Sequence, residues 1–571
     1  MSSNPTTAFP DFAYERPDLD RLSAAFTAVL EELRAAATPA AAAAAIEQID
    51  SIRSGVSSAY NVAYIRYSTD TRDDFYRTEK EWFDANLPRT QEWETDYYRA
   101  LLDNPHRPAL EQRFGARLFS AAEVALTTFR PEIVEELKRV NKLNSGYTQL
   151  RGGARIEVDG RTYNLSSITP LEQDPDRELR RRASTAKWDW YAAQREEIEG
   201  CFDRMTGLRH AMARKLGYDN FTDLGYANLG RTDYGPEEVA NFRRQVVEHI
   251  VPLTQRIYAR QAARLGLDRL HYYDIAFRFP DGNPRPMGSP LDIVEAADRM
   301  YRELSPETAE FFPLLRARQL MDLEAKDGKA PGGYCTYVND QQAPFIFSNF
   351  NGTSGDIDVL THEFGHAFQV YSSRHQRPIE YLWPTYDAAE IHSMSMEFFT
   401  YPWMKSFFGA DAGKYYFSHL AGALRFLPYG CAVDEFQHLV YQNPDCGPAE
   451  RNALWRQMEA KYQPHLDYSD HPFLAEGTYW QGQLHIFGMP FYYIDYCLAQ
   501  ICAFQFWLRD EADHASAWAS YVELCRAGGS RSFLQLVELA GLENPFADGV
   551  VARIARRAAE RLDREPGLAD S

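Results

Sequence analysis

Residues 362–366 read His-Glu-Phe-Gly-His. On an α-helix, His362 and His366 stand one turn apart on one face, with about 6 Å between their attachment points. Two imidazoles at that spacing can take two corners of a tetrahedral Zn2+ site, with Zn–N bonds of ~2.0–2.1 Å. Glu363 lies about 100° round the same helix. It borders the metal without ligating it, which is where a general base for a metal-activated water belongs. A catalytic zinc needs a third protein ligand and keeps its fourth position open. The segment DAAEIHSMSMEFF at 387–399 offers Glu390 and Glu397, seven residues apart on one helix face. Spacing alone lets either turn toward the metal. Met394, Met396, Phe398 and Phe399 mark the segment as buried, and buried carboxylates need partners. A third cluster, HIFGMPFYYIDY at 485–496, places His485, Tyr492, Tyr493 and Tyr496 in one short stretch. Amide hydrolysis needs neutral donors of this kind at a developing oxyanion. Gly482 and Gly488 flank His485 and give that loop room to move.

The elements that must position these groups are mostly helical. In 356–371, Ile357, Leu360, Phe364 and Phe368 form an apolar stripe between the polar positions. Residues 18–60 read as two long antiparallel helices broken at Thr38-Pro39, with the alanine run 40–45 continuing the second. Segments 72–104, 131–144, 174–215 and 236–265 are amphipathic in the same way, and the charged run RELRRR at 177–182 reads as a solvated helix face. Strand signals are few. Residues 156–165 alternate about an Asp159-Gly160 hairpin turn. Segment 268–290 is an irregular excursion, and 332–338 with 344–350 form a small sheet just before the motif helix.

Composition bounds the rest. The 571 residues exceed an ordinary domain and imply more than one lobe. With 45% hydrophobic, 25% charged and 14% aromatic residues, the chain is neither disordered nor a rod. A net charge of −20 argues against nucleic-acid backbones and anionic membranes as partners. Seven scattered cysteines without a C-x-x-C pair read as reduced thiols. The first twenty residues lack the basic and apolar regions of a signal peptide, and no run approaches the ~20 apolar residues of a membrane helix. A cytoplasmic location is expected.

HEFGH at 362–366, EIHS at 390–393 with a second Glu at 397, and His485 followed by PFYYIDY at 490–496 together resemble a known family. It is the zinc oligopeptidases of the thimet oligopeptidase and oligoendopeptidase F type, with PFYYIDYCLAQ closest to the bacterial Pz-peptidase-like branch. PFIFSNFNG at 344–352 and KLGYDNFTDLGYANLGRTDYG at 215–235 fit the same resemblance, which runs from about residue 200 to 545 and more weakly to the N-terminus. It implies one Zn2+ per chain on His362, His366 and Glu390, and Glu363 as general base. It also implies His485 at the transition state, and Tyr496 with Tyr492 or Tyr493 as donors to the oxyanion or substrate backbone. Asp358, one turn before His362, and Glu397 are candidates to brace the ligands. The implied fold is a mainly α, two-lobed ellipsoid with a deep central channel and a small sheet beside the motif helix. Residues 1–200 would form a helical lobe over the channel and 201–571 the catalytic region, with the active site in 332–500. The strand at 344–350, with Phe345, Phe347 and Asn349, would be the edge that pairs with substrate backbone. The implied activity is cleavage of internal bonds in short unstructured peptides. A zinc carboxypeptidase or dipeptidyl carboxypeptidase is the alternative, and oligomeric state stays open.

Overall fold

The two long N-terminal helices start on capping side chains. Asp18 accepts from the Arg21 amide at the head of Leu19–Arg34, and Thr38 accepts from Ala41 at the head of Pro39–Thr69. Phe26, Leu30 and Leu33 pack on Ala42, Ala43, Ile46 and Ile49, so the alanine run forms the close helix–helix contact. The computed structural model describes residues 7–564. Residues 1–6 of the stretch expected to lack a signal peptide, and residues 565–571, lie outside it.

The other amphipathic segments are helical too, with breaks. Segment 72–104 divides at Leu87-Pro88 and 174–215 at Gln194, while 236–265 runs through a π-helical turn at Val246–Ile250. The run 177–182 is not wholly solvated. Asp274, from the irregular excursion, is fully buried, and Arg177 and Arg180 hold it at 2.7 and 3.1 Å. A buried carboxylate requires such partners, and charge in the sequence gives no sign of where they come from. Among the described residues no helix is long and apolar enough to cross a membrane.

Among the described residues five strands form two small sheets. β1 (Ile156–Val158) and β2 (Arg161–Tyr163) make the hairpin, with Asp159 and Gly160 both at positive φ as a two-residue turn requires. The second sheet contains β3 (Met321–Glu324), β4 (Tyr334–Val338) and β5 (Ala343–Phe350), in the order β3-β5-β4. This corrects the expectation for 344–350. β5 is the central strand, parallel to β3 and antiparallel to β4, so its backbone is not free to pair with a peptide. Phe345 and Phe347 are 2% and 1% exposed. The Asn349 side chain donates to the Ala330 and Gly332 carbonyls at 2.9 and 2.8 Å. The unbroken apolar run of β5 is the mark of a strand buried on both faces, and the four-residue β3 is too short to announce itself.

The edge beside the motif helix is therefore β4. Tyr337 lies opposite Pro344, which has no N–H to give, and the Tyr337 carbonyl accepts from Asn61 of the Pro39–Thr69 helix at 2.9 Å. Alternation along the strand turns the backbone groups of Cys335 the same way, away from β5.

Two helices after the sheet carry the motif residues: the motif helix Gly355–Ser373 and the glutamate helix Tyr386–Phe399. A Cβ on Gly365 would lie 2.7 Å from both His392 O and Ser393 Cα of the glutamate helix. Gly365→Ala adds ~1 kcal/mol of helix propensity, but overpacking against backbone that cannot rotate aside costs about 1–3 kcal/mol or more. The variant is expected to melt at a lower temperature and to bind less zinc, as read by thermal unfolding and metal analysis.

Candidate metal centre and active site

His362, His366 and Glu390 each present a ligand atom, and these atoms all lie within 4.8 Å of one another. Glu390 Oε2 is 3.2 Å from His362 Nε2 and 3.4 Å from His366 Nε2. Donors 2.0–2.1 Å from a common centre at tetrahedral angles are about 3.3–3.4 Å apart, so the spacing fits Zn2+ and the His2Glu set suits it. Burial pushes the Glu390 carboxyl up, but His366 and His362 pull it well below the ordinary range. It stands as an anion ready for a cation.

The two glutamates left open by spacing are separated by geometry. Glu397 Oε1 accepts from His362 Nδ1 at 2.7 Å, which leaves Nε2 with its lone pair toward the centre. Its other oxygen lies 2.7 Å from His419 Nε2, and the Tyr401 hydroxyl lies 2.6 Å from His419 Nδ1. Asp358 makes no hydrogen bond to His362 or His366 among the described residues; its Oδ1 accepts from the Tyr415 hydroxyl at 2.7 Å. His419, Tyr401 and Tyr415 were not anticipated. His419 and Tyr415 belong to the long helix Ala412–Gln442, far along the chain from the motif, and no local spacing connects them to it.

Glu363 is 7% exposed, and its Oε2 is buried without a hydrogen-bond partner. Burial raises its pKa, opposed by His362 and His366. A carboxylate moved toward neutrality and left with a free oxygen beside the centre is equipped to accept a proton.

The third cluster reaches the same place. Tyr492 donates its hydroxyl to Glu390 Oε1, so it steadies that carboxylate. The Tyr493 ring packs 5.0 Å from that of His485 and 5.4 Å from Phe426. Tyr496 Oη lies 3.4 Å from His485 Nε2. Tyr429 donates to Gln483 Oε1 at 2.8 Å, which turns the Gln483 amide nitrogen toward His485 Nδ1, also at 2.8 Å. The ring therefore accepts at Nδ1 and carries its proton on Nε2, facing Tyr496. Burial lowers His485 to about 4, so the ring is neutral at physiological pH. Tyr429 and Gln483 were not foreseen; a hydrogen-bonded tyrosine and glutamine have no sequence signature.

Glu397→Gln is expected to weaken zinc affinity about 10–100-fold, the usual cost of losing a group that holds a metal histidine, whereas Asp358→Asn leaves it unchanged. Competition with a chromogenic chelator measures both. His485 gives a pH prediction. Its pKa is about 4 when folded against about 6.5 when unfolded. Between those values the unfolded chain binds the extra proton, so this group removes stability as pH falls. His485→Gln lacks the penalty. The melting temperature of wild type minus that of the variant, both zinc-saturated, therefore shrinks between about pH 7.5 and about pH 5.

Known proteins resemble the chain over most of its length. Residues 9–129 match the Peptidase M3 N-terminal domain, and residues 170–280 and 312–556 match Peptidase family M3. The chain is 21% identical over 546 residues to oligopeptidase PepF of Bacillus subtilis (strain 168), covering 90% of this chain and 79% of that one. The solved structure of Pz peptidase A with an inhibitor is 50% identical, with TM-score 0.97 over 98% of this chain and all of that one. A candidate oligoendopeptidase F from Bacillus anthracis str. Ames is 48% identical, with TM-score 0.92 over 98% and 99% of the two chains. On its motifs, its mainly helical fold and these matches, the chain belongs to peptidase family M3.

Proposed function

We propose that the protein is a zinc-dependent oligoendopeptidase that hydrolyses internal bonds of short, unstructured peptides. The observation that carries this reading is the convergence of His362, His366 and Glu390, with the buried carboxylate Glu363 next to His362 on the same helix. When bound there, zinc supplies Lewis acidity, polarising a carbonyl and making water acidic near neutral pH.

The chain's own residues do the rest. Glu363 takes the proton of the attacking water at Oε2 and later passes it to the departing amine. His485 Nε2–H and the Tyr496 hydroxyl donate to the oxyanion or to the substrate backbone beside it, as neutral groups that need no reorganisation. Tyr492 and Glu397 hold Glu390 and His362 in place. The outward backbone groups at Cys335 of β4 pair with the peptide backbone, which recognises an extended chain and not a particular sequence. In this reading residues 1–200 form the lobe that limits access. Asn61 and Tyr64 of the Pro39–Thr69 helix pack on β4, the Tyr64 ring lying 5.2 Å from that of Tyr334. Seven free cysteines suit a cytoplasmic location.

An internally quenched peptide of about 8–10 residues, blocked at both ends, tests the reading. Wild type is expected to cleave it, and Glu363→Gln to keep its zinc while losing roughly 10²–10⁴-fold in kcat. Cleavage restricted to peptides with a free C-terminus would replace this reading with a carboxypeptidase.

A further inference from the structure

The chain on either side of His485 is closely packed, which corrects the expectation that Gly482 and Gly488 give it room to move. A Cβ on Gly482 would lie 3.3 Å from Trp188 Cη2 of the helix Arg177–Ala193. A Cβ on Gly488 would lie 3.0 Å from Asn144 Oδ1 of the helix Val134–Gly152. Neither glycine has a positive φ, so closeness of approach and not a turn accounts for both.

The helix Val134–Gly152 lies between the stretches that match the M3 N-terminal domain and family M3, and belongs to neither. One of its side chains, Tyr147, touches the chain both before and after His485. Its hydroxyl donates to the Gln481 carbonyl at 2.6 Å, two residues before the Gln483 amide that faces His485 Nδ1. Its ring stacks on that of Phe487, two residues after His485, with centroids 3.8 Å apart and planes 11° from parallel. Tyr147 is 2% exposed, so no water competes for these contacts. From the opposite side, Arg209 of the helix Arg195–Leu216 donates to the Phe487 carbonyl and, at 2.8 Å, to the Tyr441 hydroxyl. The helix that carries Tyr147 is itself tied down: Lys215 donates to Glu136 Oε1 at 2.7 Å and to the Glu132 carbonyl at 2.8 Å. Burial, with the charge of Arg151 one turn beyond Tyr147, keeps the His485 ring neutral against the pull of Glu390.

Resting on the oligopeptidase reading, we propose that Tyr147 is a positioning residue for His485, holding the segment 481–488 so that the ring meets the transition state at its Nε2–H. The hydroxyl fixes the chain that brings in Gln483, and the stacked ring fixes the chain that leaves His485. A donor aimed at a developing charge is effective only in place, and a displacement of about 1 Å costs on the order of 100-fold in rate.

The test is a double-mutant cycle on the blocked quenched peptide, with zinc-saturated wild type, Tyr147→Phe, His485→Gln and the double variant. Tyr147→Phe keeps the stacked ring and loses one hydrogen bond. It is expected to lower kcat about 3–10-fold at unchanged KM, the pattern of an interaction realised only in the transition state. Tyr147→Leu loses the stacking as well and is expected to fall about 10–100-fold. In the His485→Gln background Tyr147→Phe costs nothing further, because the group it positions is gone. An equal loss in both backgrounds overturns the proposal, since general loosening of the fold does that. So does a Tyr147→Phe variant with wild-type kcat, or one that changes KM alone. Failure of the peptidase reading looks different, as no turnover by wild type. Amide hydrogen exchange then still decides Tyr147: faster exchange in Tyr147→Phe confined to 481–488 supports the clamp, and exchange equal to wild type there, or raised equally over 360–370, removes it.

Discussion

Three donors from two helices reach one point only if the helices nearly touch. The motif helix brings His362 and His366, and the glutamate helix brings Glu390. The contact between them runs through Gly365, where any Cβ would meet the backbone of His392 and Ser393. The glycine inside the motif is thus a packing requirement. Widening this contact would move Glu390 away from both imidazoles, and with it Tyr492, whose hydroxyl rests on Glu390 Oε1. Glu397, one face-repeat further along the glutamate helix, crosses the same interface to His362. One helix pair therefore sets both the position of Glu390 and the tautomer of His362.

A second tie sets the position of the tyrosines. Arg231 pairs with Asp495 in the first turn of the helix Tyr493–Ala512 and donates to the Phe491 carbonyl at 2.7 Å. Tyr234 donates to Asp387 of the glutamate helix at 2.7 Å and lies 3.3 Å from Asp495. Phe491 adopts a positive φ of 67°, and its ring fills the space left by the missing side chain of Gly225. A bulky residue in that conformation is strained, and the buried Arg231 contact holds it there. The segment 215–235 thereby fixes where Tyr492, Tyr493 and Tyr496 stand relative to His362, His366 and Glu390.

Much of this was legible because it is local. The spacing of His362, Glu363 and His366 fixes their relation on any helix, and the Asp159-Gly160 turn fixes the hairpin. What depended on tertiary contact was not legible from the residues themselves. Glu390 and Glu397 share a helix face, and only packing decides that one touches Nε2 of His362 and the other Nδ1. The strand at 344–350 resembled an edge strand because its partner β3 has only four residues. His419 and Gln483 come from a remote helix and a short loop. Each matters through an atom a hydrogen bond away from a group that the motifs do identify.

The state of His485 shows why such supporting atoms matter. An imidazole near a metal centre can donate to an oxyanion as a neutral or a charged ring, and a charged ring would give the stronger hydrogen bond. The cation, however, would stand beside a bound dication and repel it. Here burial lowers the ring to about 4, against the attraction of Glu390. Neutrality alone would still leave two tautomers, and only one donates toward Tyr496. Two residues away, the Gln483 carbonyl oxygen accepts from Tyr429 and its amide nitrogen faces His485 Nδ1, an arrangement that keeps the proton on Nε2. The ring is thus oriented by a chain of neutral hydrogen bonds that pH near neutrality does not disturb.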